Sequence, residues 1–123
     1  MDSTGLPAAL PACAHGIYAL EAAAELIIGH ATWLGRDDFN RLIHAGPGSA
    51  GMMAAIDWPA VTAAINAGAL PCSSGERKML ELAASLAGQR PVVLGDAIPG
   101  LDERNVQVLL KAVLHASGRR QYP

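Results

Sequence analysis

Two glutamates four residues apart are the first side chains in the sequence whose spacing could support chemistry. Glu21 and Glu25 lie in the apolar stretch HGIYALEAAAELIIGHATWL, residues 15–34, and in a helix both would project from the same side. They form a candidate polar site that could bind a metal together with His30 or His44, or share a proton as a catalytic pair. We favour instead a solvent-facing edge of a mostly buried helix, because the Glu-x-x-His pattern of metal-binding bundles is missing. The arginines that could pair with this edge are Arg36, Arg41 and Arg104.

A glycine-rich segment at 46–51 matches the GxGxxG pattern of dinucleotide-binding loops. Such a loop needs a preceding strand, a following helix and an acidic residue about 20 positions further on. Here the preceding RLIHA has a helical pattern, and the next acidic residue, Asp57, follows after six positions. The segment therefore predicts a loop between two helices, and we expect no cofactor.

The segment SSGERKMLELAASLAGQRPVVLGD (73–96) has a Ser-x-Gly-acid turn, an alanine-rich helix and an apolar run ending in Asp. It resembles the stretch between the signature and Walker B motifs of ABC ATPases, which would imply ATP hydrolysis. The chain departs from that family, because it has no GxxxxGK[ST] phosphate loop and has Ala97 at the place of the catalytic glutamate. Without a phosphate loop, hydrolysis has no electrostatic basis. We carry over no residue, and the sequence predicts no catalytic, cofactor-binding or metal-binding residue.

Composition and charge limit the fold class and the partners. The 123 residues fit one domain, and 24 alanines against five aromatic residues predict closely packed helices. The net charge is −2, divided into −4 over residues 1–72 and +2 over residues 73–123. This asymmetry is too mild for the basic stripe of a nucleic-acid-binding surface.

The fold predicted from these patterns is all-α. We expect a compact single-domain bundle of four to five short helices around a central apolar helix at about residues 12–34, which is apolar on nearly every side. The expected organisation is an irregular arm at 1–11, a helical domain at 12–118 and a short basic tail at 119–123.

Capping residues and glycines mark the shorter helices. Asp37 can cap a short helix that carries Phe39, Leu42 and Ile43 and ends at Gly46, and the following MMAAI is either a helical turn or buried packing. Three later helices are each bounded by a cap and a glycine: Asp57 to Gly68, with the helix at about 58–67; Ser73 to Gly88, with a capping box to Glu76; and Asp102 to Gly118. The β-like run RPVVLGDAIPG has no obvious partner strand, so we expect an extended connection and a short turn.

The last helix and the central helix supply the predicted contact surface. The 3.6-residue period predicts a buried face of the last helix, and Val108 would then lie on its polar side beside Lys111. Four narrow apolar faces would not fully cover the central helix, so Ala22 and Leu26 could contact a second copy or a partner. The residues of the predicted buried face are Val106, Leu109, Leu110, Val113 and Leu114.

These patterns predict a protein that acts through protein contacts. We expect a bacterial cytoplasmic protein that serves as a regulatory or accessory module. It would self-associate or bind another protein through a surface containing Ala22, Leu26, Val108 and Lys111. A small helical DNA-binding regulator is the alternative. Cys13 and Cys72 are expected to be reduced and partly buried, and no apolar run is long enough to cross a membrane.

Overall fold

The computed structural model describes residues 18–48 and 51–118, and helices dominate it. Two single turns of 3-10 helix, Trp33–Gly35 and Ile98–Gly100, lie between the main elements. The main elements in chain order are α1 (Tyr18–His30), α2 (Asp37–Asn40), β1 (Ile43–Gly48), β2 (Gly51–Ile56), α3 (Trp58–Asn66), α4 (Ser74–Leu86), α5 (Leu94–Ala97) and α6 (Glu103–Ala116). The helix-dominated fold is therefore confirmed, with one two-stranded hairpin added to it.

Helix α1 is the central helix of the fold, as its sequence predicts. It packs against both α4 and α6, and four of its side chains have no exposed surface: Ala22, Ala23, Leu26 and Ile27. The helix ends at His30 and does not continue to residue 34, because Ala31 adopts a left-handed backbone with φ of 71°. The start predicted at 12–15 lies outside the described residues.

Residues 43–48 and 51–56 form two antiparallel strands, so the predicted loop between two helices was wrong. Helix α2 is a single turn that ends at Asn40, and Ile43 pairs across the sheet with Ile56 at the base of the hairpin. Both isoleucines are buried, and the backbone of Asp57 donates a hydrogen bond to the Leu42 carbonyl at 2.8 Å. The MMAAI segment lies in β2, not in a helical turn. A strand follows the glycine-rich segment where a dinucleotide loop requires a helix, which removes the basis for a nucleotide site there.

The predicted caps of the three later helices are confirmed. The Asp57 side chain accepts a hydrogen bond from the Ala60 amide at the start of α3, and Ser73 forms the capping box with Glu76 at the start of α4. Asp102 caps α6 by accepting from the Asn105 amide at 2.8 Å. A glycine with positive φ follows each of these helices: Gly68, Gly88 and Gly118. Residues 91–100 form an extended connection followed by short helical turns, as predicted.

The face that α6 buries differs from the predicted one. Leu109 and Ala112 are buried, whereas Leu110 and Val113 are 47% and 48% exposed. Contacts with α1 explain this rotation, because Val108 packs against Gly29 and His115 meets the carboxylates of α1. The exposed leucine and valine therefore lie on the side of α6 that faces away from α1.

The two cysteines were expected to be reduced and partly buried. Cys72 carries a free thiol but is exposed, so its expected burial was wrong. Cys13 lies outside the described residues. Among residues 18–48 and 51–118, no helix is long and apolar enough to cross a membrane.

Candidate functional site

A histidine of α6 lies between the two glutamates of α1 and forms the main polar cluster between these helices. His115 Nε2 is 3.2 Å from Oε1 of Glu21, and His115 Nδ1 is in close contact with Oε2 of Glu25. Glu21 is the one charged residue classed as buried among the described residues, with 8% of its surface exposed. The Tyr18 ring lies beside the imidazole, with 6.4 Å between the ring centroids. The side chains of Glu21, Glu25 and His115 thus join α1 to the end of α6.

This geometry is better suited to holding two helices together than to catalysis. Ionised carboxylates only accept hydrogen bonds, so both contacts are hydrogen bonds when the imidazole carries a proton on each nitrogen. A general base needs a nitrogen lone pair directed at substrate, whereas both nitrogens of His115 face a glutamate. The described residues contain no group of three or more His, Cys, Asp or Glu placed to hold a metal ion.

The sequence identified the two glutamates of this cluster but not their histidine. The side chain that contacts both of them is His115, 94 positions from Glu21. Arg36 pairs with Asp38, and Arg104 Nη2 lies 3.5 Å from the Gly29 carbonyl oxygen. No pattern in the sequence connects two helices so far apart along the chain, although the end of α6 is a favourable place for a histidine.

His30 is the last residue of α1, at the opposite end of the helix from Glu21, and it lies outside the His115 cluster. Its Nδ1 is buried and has no hydrogen-bond partner among the described residues. Burial lowers the pKa of His30, since it penalises the charged form, and Arg104 lowers it further, whereas Glu76 and Asp102 act in the opposite direction. The neutral form of His30 is therefore favoured over the charged form, and His30 does not join the glutamate pair.

The lowered pKa of His30 predicts a pH-dependent stability. As pH falls below the unfolded-state pKa of about 6.5, the unfolded chain binds a proton more readily than the folded protein does, so the free energy of unfolding decreases. We expect His30→Gln to reduce this decrease between pH 7 and pH 5. Urea unfolding at several pH values checks it, and an unchanged pH profile in the variant would contradict the assignment to His30.

A groove with a volume of about 310 Å³ lies between α1 and α6, next to the cluster. Glu25 and Gly29 line it from α1, and the α6 side consists of Arg104, Gln107, Val108 and Lys111. A Cβ atom on Gly29 would lie 3.0 Å from Cγ1 of Val108. The absence of a side chain at position 29 therefore lets the two helices approach closely and makes Val108 part of the groove floor.

The four residues predicted to form a contact surface lie in two environments. Ala22 and Leu26 have no exposed surface within the single chain, because α4 and α6 cover α1. Val108 is half-buried against Gly29, and Lys111 is an exposed residue of the groove. An interface role for Val108 and Lys111 stays a prediction, whereas the burial of Ala22 and Leu26 leaves a partner no surface to contact.

Comparisons with known proteins identify no relative of this chain. Searches against family models, curated proteins and solved structures each find no match. The function must therefore be argued from the residues and their geometry.

Proposed function

We propose that this protein is a protein–protein interaction module that self-associates through the outer face of α6. The observation that carries the proposal is the exposure of Leu110 and Val113 to 47% and 48% on a 14-residue helix. With half-buried Val106 they occupy positions i, i+4 and i+7 of α6, which fall on one side of a helix. Adjacent apolar side chains on an exposed helix face are typical of a contact surface.

An antiparallel arrangement of two α6 helices fits the charges of this segment. The sequence is acidic where α6 begins, at Asp102 and Glu103, and basic beyond its end, at Arg119 and Arg120. A two-fold axis near Leu110 would pair the leucines of two copies and bring Val106 of each next to Val113 of the other. The acidic start of one helix would then lie beside the end of its partner's helix, and opposite helix dipoles would favour the same arrangement.

One substitution on the outer face should abolish this association. We expect the wild-type chain of 12.7 kDa to elute as a dimer, and Leu110→Glu to elute as a monomer, because it places a carboxylate in an apolar contact. Light scattering coupled to size-exclusion chromatography measures both masses.

The control variant is Gln107→Glu, which adds the same charge to α6 but on the groove side. It should remain dimeric, and circular dichroism should show the same helix content in both variants. A monomeric wild-type protein, or a dimer that persists in Leu110→Glu, would refute self-association through this face.

The alternative function and the cellular setting stay predictions. A helix-turn-helix joins its two helices by a turn of three or four residues, whereas residues 67–73 separate α3 from α4. DNA binding at low salt that weakens as salt is raised would favour the DNA-binding alternative. A bacterial source, a cytoplasmic location and a regulatory or accessory role in contact with other proteins are expectations from the sequence.

A further inference from the structure

We propose that the groove between α1 and α6 binds a small anion that carries one carboxylate or phosphate group. The groove volume of about 310 Å³ lies at the lower end of the range for small-molecule sites. The site is distinct from the outer face of α6 and does not depend on self-association.

Two cations of α6, Arg104 and Lys111, line this groove. Within residues 18–48 and 51–118, the ion pairs of arginine involve Arg36, Arg77 and Arg90, and no ion pair includes Arg104 or Lys111. The two cations are seven residues apart on α6, with Gln107 between them on the same side. A guanidinium, an ammonium and an amide together offer several donors and favour an anionic acceptor.

The α1 side of the groove limits the ligand to one acidic group. Glu25 and Lys111 both line the groove, and the carboxylate of Glu25 is already engaged by His115. A second acidic group in the groove would be repelled by Glu25. Val108 and Gly29 leave an apolar floor that suits a short carbon skeleton attached to the acidic group.

Nuclear magnetic resonance of the full chain, labelled with ¹⁵N, can test this site. Sodium lactate and sodium phosphate are the probes, titrated separately at constant ionic strength. We expect the Gly29 and Val108 amide signals to shift and to saturate as the anion is added. The dissociation constant should lie in the millimolar range, which is typical of a weak small-ligand site. Saturation by lactate alone would assign a carboxylate ligand, saturation by phosphate alone a phosphate ligand, and saturation by both the shared anion chemistry.

Charge removal distinguishes a site in the groove from a general effect of net charge. Arg104→Gln and Lys111→Gln should each raise the dissociation constant about tenfold, the scale of losing one charge-assisted hydrogen bond. Lys78→Gln removes the same charge from α4, outside the groove, and should leave the constant unchanged. Shifts that do not saturate with either probe, or an equal loss of affinity in the Lys78 variant, would overturn the proposal.

Discussion

Replacing Trp33 with alanine is expected to lower the free energy of unfolding by about 3–5 kcal/mol, the largest effect we predict for a single substitution. The indole has no exposed surface and packs against Phe39, with 5.6 Å between the ring centroids. Its Nε1 donates a hydrogen bond to the Glu76 carbonyl at 3.1 Å, which ties the turn after α1 to α4. The variant loses both the packing and this link. Urea unfolding followed by circular dichroism measures the change.

Trp33→Phe separates the two contributions. It keeps an aromatic ring in the core but removes the indole donor, so we expect a loss of about 1–2 kcal/mol, from the lost indole hydrogen bond and the smaller ring. The Arg36 guanidinium, 4.6 Å from the centre of the Trp33 ring, should keep an aromatic neighbour. A loss below about 1 kcal/mol in Trp33→Ala would show that the indole is not a core residue.

Removal of the histidine between the two glutamates is expected to have the second largest effect. His115→Leu removes the imidazole that contacts Glu21, a carboxylate that stays largely buried. Losing a buried hydrogen bond to a charged group costs up to about 3 kcal/mol. Because the Glu25 side chain is 41% exposed, we expect a smaller loss of about 2 kcal/mol in the free energy of unfolding. Urea unfolding at pH 7 gives the value.

A double-mutant cycle shows whether the effect comes from the charge of Glu21. In a Glu21→Gln background the buried carboxylate is absent, so His115→Leu should cost less than about 1 kcal/mol there. Equal losses in the two backgrounds would mean that His115 stabilises the protein by packing alone, beside Tyr18, and not by joining the two helices through charge.

The starts of three helices could be predicted because their signals lie within a few residues. The Asp57 side chain reaches the Ala60 amide, and the Ser73 hydroxyl reaches the Glu76 amide, so each cap depends on a segment of four residues. The hairpin was missed because its pairing joins two segments and neither segment alternates clearly between polar and apolar residues. A glycine-rich segment with a proline also resembles a loop between helices.

The sequence by itself determined that α1 is the central helix and that caps and glycines bound the later helices, since composition and local hydrogen bonds decide both. It also placed Glu21 and Glu25 on one side of a helix. Only the tertiary structure decided which side chain contacts these two glutamates and which side of α6 is buried. The 3.6-residue period of α6 allows more than one apolar face. The choice depends on contacts with Gly29, Glu21 and Glu25, which lie about 80 to 95 positions earlier in the chain. The resulting rotation leaves Leu110 exposed and brings His115 to the two glutamates.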